Sequence, residues 1–92
     1  MRIVYDPAKR ASNLCKHGLD FEDAAEVLGG PALDIRDIRF DYGEPRIMSV
    51  GHLRGRMVVV VWTPDGDAYR IISMRKANDR EQKRYRGRLD AP

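Results

Sequence analysis

Apolar residues recur along the chain with two different periods, and the period changes near Pro31. Before this proline the spacing is helical, which predicts one helix over residues 7–17 and a second over residues 21–28. Beyond it the pattern becomes extended, with short apolar stretches separated by turn residues. The chain is therefore expected to place a pair of helices before a sheet.

The first predicted helix has a well-defined start and end. Asp6 is expected to cap its amino end, and Gly18 to end it in the left-handed conformation. Its polar flank follows the i, i+4, i+7 spacing of a helical face and consists of Lys9, Asn13 and Lys16. This flank suits an anion, with an ordinary solvated face as the alternative. The opposite flank is expected to be buried and consists of Ala8, Ala11, Leu14 and Cys15.

The extended part of the chain predicts an antiparallel meander. Its strands are expected at residues 32–40, 45–52, 56–63 and 67–76. Turns that contain Gly55 and Gly66 suit hairpins between the last three strands. The stretch from Met57 to Trp62 is apolar at every position, which predicts a central strand with both faces covered. A short edge strand is also expected at residues 2–5.

A third helix is predicted over residues 79–88. Asn78 and Glu81 form a capping-box pattern at its start. Basic residues surround most of its circumference, and the residues available to anchor it are Ala77, Tyr85 and Leu89. So few anchors favour completion of this helix by a partner.

These elements fit in one domain that spans residues 1–92, because a chain of this length supports a single core. We expect the α+β class, with an antiparallel sheet of about four main strands flanked by an N-terminal helical pair and a C-terminal helix. The sequence has no apolar stretch long enough to span a bilayer and no signal-peptide pattern. A cytoplasmic location without a membrane partner is therefore expected.

The positive charge is unevenly distributed. The chain carries 17 Lys and Arg against 14 Asp and Glu, a net charge of +3. Between Arg70 and Arg88 there are eight basic and two acidic residues, a charge of +6, so the remainder totals −3. A cationic end of this kind favours contact with a polyanion, of which nucleic acid is the commonest. A solubilising tail is the alternative.

Disulfide and metal chemistry are not expected. Cys15 is the only cysteine, which excludes a disulfide within the chain, and it is expected to be a small buried thiol. His17 and His52 lack the spacing of a metal-ligand pair. We therefore expect no metal ion and no other cofactor.

Two places in the sequence suit phosphate binding or proton transfer. Glu44 and Arg46 are two residues apart, which puts both side chains on the same face if the strand has begun by residue 44. The alternatives are a structural ion pair, or a phosphate held by Arg46 while Glu44 positions it or takes a proton. Alternation along the last strand places Tyr69, Ile71, Ser73 and Arg75 on one face, and Arg70, Ile72, Met74 and Lys76 on the other. Which face is buried stays open.

RNA cleavage without a metal needs a base for the 2′-hydroxyl, an acid for the leaving 5′-oxygen and cations for the charged phosphorane. The available cations are Lys9, Lys16, Arg46, Arg70 and Arg75. The available proton-transfer groups are His17, Glu44 and Tyr85. The same residues would serve a basic domain that binds RNA without cleaving it. The residues alone therefore indicate an RNA-directed protein, either an enzyme or a binding module.

Several motifs together resemble the BrnT family of type II toxins. The most specific are Asn-x-x-Lys-His-Gly at residues 13–18 and Arg-Ile-Ile-Ser-x-Arg at residues 70–75. The resemblance extends over residues 3 to about 86 and includes Asp41-Tyr42-Gly43-Glu44-Pro45-Arg46. Tyr5 and Met74 stand where the family commonly has tryptophan and alanine, and neither difference removes a polar group.

The resemblance implies a RelE-like fold and a metal-independent endoribonuclease that cleaves RNA and inhibits translation. It also implies a BrnA-like ribbon-helix-helix antitoxin, through which alone the complex would bind DNA. Among the positions that match the family's motifs, we expect His17 or Glu44 to transfer protons and Arg46 and Arg75 to bind phosphate, which makes these four the expected catalytic residues. We expect RNA binding at Lys9, Asn13, Lys16 and Arg70, which match the family's motifs, and at Lys76 and Arg80 of the cationic C-terminal end. A non-catalytic module that binds RNA or a partner is the alternative function.

Overall fold

The computed structural model of the protein describes residues 1–90, apart from the side chain of Asp90. In chain order its elements are β1 (Ile3–Val4), α1 (Pro7–His17), a 3₁₀ turn (Phe21–Asp23), α2 (Ala24–Leu28), β2 (Ala32–Arg36), β3 (Ile47–Leu53), β4 (Arg56–Asp65), β5 (Ala68–Lys76) and α3 (Asp79–Asp90). The α+β class is confirmed. The second predicted helix is divided into the 3₁₀ turn and the short α2.

The five strands form one mixed sheet in the order β1-β5-β4-β3-β2. The last four strands make the expected antiparallel meander. β1, however, pairs with β5 in the parallel direction, with Ile3 opposite Tyr69. The expectation of a purely antiparallel sheet is wrong in this detail. A strand of two residues has no alternation from which its partner or its direction could be read.

β2 is shorter than expected, because it ends at Arg36 instead of Phe40. The carboxylate of Asp37 accepts hydrogen bonds from the backbone and guanidinium of Arg39 and from the hydroxyl of Tyr42. These bonds hold the chain in a turn where the strand was expected to continue. Residues 37–46 therefore connect β2 to β3, and we call them the 37–46 loop.

β4 lies at the centre of the sheet, as its uninterrupted apolar run predicts. Val58 and Val60 point to the face covered by α2 and the 3₁₀ turn, where they join Phe21 in a buried cluster. Val59 points to the opposite face, where it packs in a second cluster with Tyr85 of α3. Both faces of the sheet are thus covered, which explains why β4 carries no polar face.

The side chains of β5 do not alternate regularly between the two faces of the sheet, because the strand contains a bulge. Val61 pairs with Ser73 and the next residue of β4 pairs with Ile71, which leaves Ile72 without a partner. The bulge brings Ile71 and Met74 into the same buried cluster although they are three residues apart. The expected grouping of side chains along this strand is therefore wrong. The four residues expected on one face are divided between the two, with Tyr69 and Ile71 toward α2 and Ser73 and Arg75 toward α3.

Both predicted caps of α1 are present, but the helix faces in an unexpected direction. Asp6 accepts from the N–H of Ala8 at 2.8 Å, and Gly18, at φ 69°, donates to the carbonyl of Leu14 at 2.8 Å. The flank expected to be buried is exposed, with Leu14 44% accessible. Cys15 is also exposed, so the expectation of a buried thiol is wrong.

The reason is the side chain of Asn13, which binds α1 to the outer edge of β5. Its amide oxygen accepts from the N–H of Met74 at 3.1 Å, and its amide nitrogen donates to the carbonyl of the same residue at 2.9 Å. The amide nitrogen also donates to the carbonyl of Leu19 at 3.1 Å. The carboxamide thus replaces a neighbouring strand at this point of the sheet edge. The inward side of α1 is consequently polar, and its apolar flank faces outward.

We expect the substitution Asn13→Ala to lower the free energy of unfolding by about 1–3 kcal/mol, because it leaves buried backbone groups of β5 without partners. Asn13→Asp should also destabilise the protein, since a carboxylate keeps the acceptor but loses both donors. Urea unfolding monitored by circular dichroism measures both effects.

The matched control is Ser12→Ala, which removes a polar group from an exposed neighbour on the same helix. It should change the free energy of unfolding by less than about 0.5 kcal/mol. Wild-type stability in Asn13→Ala would show that the two hydrogen bonds to Met74 do not hold α1 in place.

Candidate active site

A cleft of about 360 Å³ lies between α1 and the face of the sheet that carries α3. One wall comes from α1, and the other comes from the end of the 37–46 loop and the bulge of β5. The residues that line it are Lys9, Ser12, Asn13, Lys16, His17, Arg46, Ile72 and Ser73. Five of the ten residues predicted from the sequence as site residues meet here, four from α1 and Arg46 from the 37–46 loop.

Arg46 is the most unusual side chain of the cleft. It is only 25% exposed, and its Nε is buried without a hydrogen-bond partner among the described residues. Its guanidinium carbon lies 4.0 Å from the centre of the Tyr42 ring, which is the geometry of a cation–π contact. The nearest carboxylate, that of Glu44, is 3.8 Å away, beyond hydrogen-bond distance. Arg46 is therefore held by stacking and keeps its N–H groups available for an anion.

Glu44 lies behind Arg46 and does not line the cleft. Its two carboxylate oxygens are 3.8 Å from Arg46 and 3.6 Å from Arg70. Arg70 also lies 3.4 Å from the carboxylate of Asp65. Glu44 and Arg46 are close to each other, as expected, but a strand does not place them there, because both precede β3. Glu44 separates two cations here, so its position suits the alignment of Arg46 better than contact with a substrate.

The α1 wall contributes the remaining positive charge. Lys9 and Lys16 are exposed, and no described carboxylate forms an ion pair with either of them. His17 is half-buried in the last turn of the helix and lines the same cleft. The buried amide of Asn13 lies between the two lysines along the helix and holds this wall against β5. The three hydrogen bonds of Asn13 therefore hold elements of the fold together. Its predicted contact with RNA stays a prediction.

Arg75 does not line the cleft, because its side chain forms an ion pair with Glu81 of α3. Its guanidinium donates to both carboxylate oxygens of Glu81, at 2.7 and 2.9 Å. The carboxylate of Glu81 raises the pKa of Arg75, and the guanidinium of Arg75 lowers the pKa of Glu81. Glu81 also exchanges two hydrogen bonds with Asn78, which form the predicted capping box. The two remaining predicted site residues are also elsewhere: Lys76 borders a separate cavity near Arg56, and Arg80 is exposed on α3.

Three polar residues around the cleft were not singled out by the sequence as site residues. Ser12 and Ser73 line it, and Tyr42 supports Arg46 from behind. Tyr42 had a signal in the sequence, since it belongs to the motif that contains Glu44 and Arg46. Ser73 had one too, since it belongs to the Arg-Ile-Ile-Ser-x-Arg motif, but regular alternation along β5 does not anticipate the bulge beside it.

Comparison with protein families gives one match of high coverage. The model of the family described as "Ribonuclease toxin, BrnT, of type II toxin-antitoxin system" matches residues 5–81. The chain belongs to this family. No curated protein matches the chain.

Membership in the BrnT family implies an RNA substrate and an antitoxin partner. The matched residues include the whole cleft and also Arg75 with its partner Glu81. Within residues 1–90, no three His, Cys, Asp or Glu side chains come together in a group that could hold a metal ion. No described helix has the length and apolarity that crossing a membrane requires.

The contact between Arg75 and Glu81 generates a prediction about stability in this BrnT-family chain. A double-mutant cycle of Arg75→Ala and Glu81→Ala should give a coupling free energy of about 1 kcal/mol at pH 7. Because the pKa of Glu81 is lower in the folded protein, the coupling should be complete above about pH 4.3, the ordinary value for glutamate, and should fall as the pH drops below it.

Urea unfolding of the four proteins at pH 7 and at pH 3 measures this coupling. Independent, additive effects at pH 7, or an unchanged coupling at pH 3, would contradict a stabilising ion pair between β5 and α3.

Proposed function

We propose that this chain is a metal-independent endoribonuclease that cleaves RNA in the cleft between α1 and the sheet and thereby inhibits translation. The observation that carries the proposal is Arg46, a largely buried guanidinium whose N–H groups have no hydrogen-bond partner among the described residues. Arginine binds two phosphate oxygens in parallel, which suits it to the phosphodiester of RNA. Its neighbours Lys9 and Lys16 extend the positive charge along the cleft.

The reaction requires the ribose 2′-oxygen to attack the adjacent phosphorus while the bond from phosphorus to the 5′-oxygen breaks. The proton of the 2′-hydroxyl goes to a base, and the departing 5′-oxygen receives a proton from an acid. The products are a 2′,3′-cyclic phosphate and a 5′-hydroxyl end. Between the substrate and these products lies a phosphorane with extra negative charge. A fixed guanidinium stabilises this phosphorane more than it stabilises the substrate.

His17 is our candidate for proton transfer. It lines the same cleft as Arg46, whereas Glu44 lies between two arginines behind the cleft. Imidazole is the side chain that most readily accepts or donates a proton near neutral pH. In this proposal Glu44 is a positioning residue that keeps Arg46 and Arg70 in place. Arg75 is also a positioning residue, because it holds α3 against β5.

The proposal extends to the partner and the location. A BrnA-like ribbon-helix-helix antitoxin would neutralise the toxin in the cytoplasm and would supply all contact with DNA. The support is membership in a family of type II toxins, together with a basic cleft that an acidic segment of a partner could neutralise. Co-purification of the chain with the product of the neighbouring gene tests this part directly.

We expect Arg46→Ala to reduce the rate of RNA cleavage by about 100-fold or more, because it removes the fixed charge that faces the phosphorane. His17→Ala should cause a loss of similar size, since proton transfer contributes about 10²–10⁴-fold. Cleavage of a mixed-sequence RNA by the purified protein, with the ends of the products identified, measures both.

The matched control is Arg56→Ala, which removes an exposed arginine at the opposite end of the sheet. It should cleave RNA as the wild type does. If folded wild-type protein binds RNA with a steep salt dependence but forms no product, the chain is a non-catalytic binding module instead.

We also expect cleavage to continue at an undiminished rate in excess EDTA, because the proposed chemistry uses only side chains of the chain. A loss of activity in EDTA that added Mg²⁺ or Mn²⁺ restores would contradict metal independence. Circular dichroism in the same buffer shows whether the chelator affects the fold.

A further inference from the structure

The 37–46 loop exposes two large apolar side chains beside the proposed active site. Ile38 is 80% accessible and Phe40 is 68% accessible, which makes them more exposed than Leu14 on the outer flank of α1. They border a separate cavity of about 300 Å³, which the loop forms together with Arg36 at the end of β2. Exposed aromatic and aliphatic side chains beside a cavity commonly mark a binding surface.

The loop is held in one conformation by a buried carboxylate. The side chain of Asp37 is only 2% exposed, and it accepts hydrogen bonds from Arg39 and from the hydroxyl of Tyr42. Its backbone N–H donates to the carbonyl of Arg46 at 2.8 Å. The loop therefore presents Phe40 on a preorganised support, so that little conformational entropy is lost when a ligand binds.

Three side chains in series connect the loop to the proposed phosphate site. The ring of Phe40 meets the ring of Tyr42 edge to face, with 5.9 Å between their centres. Tyr42 in turn lies under the guanidinium of Arg46. Arg46 lines both the cleft and the cavity of the loop, so the two spaces adjoin at this residue.

From this continuity we propose that the cavity of the 37–46 loop binds the nucleobase next to the phosphate held at Arg46, with Phe40 as its stacking surface. The inference rests on the proposed function, because it takes Arg46 as the phosphate site. In RNA a base is separated from its phosphate only by the sugar, so a phosphate at Arg46 places a base within reach of the adjoining cavity. Single-stranded RNA is commonly recognised by stacking of unpaired bases on aromatic side chains.

The test combines a substitution in the protein with a deletion in the RNA. Cut sites are first mapped on a mixed-sequence RNA, and a short oligonucleotide around one site is made with and without the base beside the cut phosphate. Phe40→Ala should raise the KM for the intact oligonucleotide roughly tenfold and alter the distribution of cut sites. Removal of the base should cost the wild type a similar factor and cost Phe40→Ala almost nothing further.

Two control variants make the result specific. Phe40→Trp should keep the wild-type KM, because it preserves an aromatic stacking surface. Leu14→Ala, which removes another exposed apolar side chain from the outer flank of α1, should cleave normally. Additive losses from Phe40→Ala and removal of the base would overturn the proposal, as would an unchanged KM in Phe40→Ala.

Binding to uncleavable RNA separates this proposal from the proposed catalytic function. A 2′-deoxy version of the oligonucleotide, followed by fluorescence anisotropy, should bind Phe40→Ala roughly tenfold more weakly than wild type even if no cleavage is detected. In that case the catalytic proposal fails while base binding stands. If Phe40→Ala instead binds RNA normally but loses affinity for the antitoxin, the loop is a protein-docking surface and the proposal is wrong.

Discussion

The hydrogen bonds between the carboxamide of Asn13 and the backbone of Met74 are the contact on which the arrangement of this protein depends. They satisfy an edge of β5 that β1 is too short to cover, and they determine the rotation of α1. Because an asparagine faces the sheet, the neighbouring positions on the helix face the cleft and the apolar flank faces outward. The same two bonds therefore complete the sheet and direct Lys9, Lys16 and His17 toward one space.

Arg46 and Arg75 show how tertiary context separates two residues that look alike in the sequence. Both were expected to bind phosphate. Arg75 has its donors occupied by the carboxylate of Glu81, whereas Arg46 rests on an aromatic ring with its nearest carboxylate beyond hydrogen-bond distance. The Nε of Arg46 is buried without a hydrogen-bond partner, which carries a desolvation cost that an incoming anion relieves.

Local features of the fold could be predicted because they depend on residues close together in the chain. The caps at Asp6 and Gly18, the capping box of Asn78 and Glu81 and the central position of β4 all belong to this class. The family could also be read from two linked motifs, which the match over residues 5–81 confirms. The direction of β1 and the bulge at Ile72 could not be predicted, since they depend on strands distant in the sequence.

The sequence by itself thus determined the class of the fold, the order of most elements and the family, because capping, periodicity and motifs are written in consecutive residues. Only the tertiary structure decided which of the predicted site residues meet. It placed Cys15 on the surface, assigned Asn13 and Arg75 to contacts that hold elements together, and brought Arg46 to the α1 wall. The physical reason is that these outcomes depend on which hydrogen-bonding groups remain unpaired once the sheet has formed, a property of the whole fold and not of any segment.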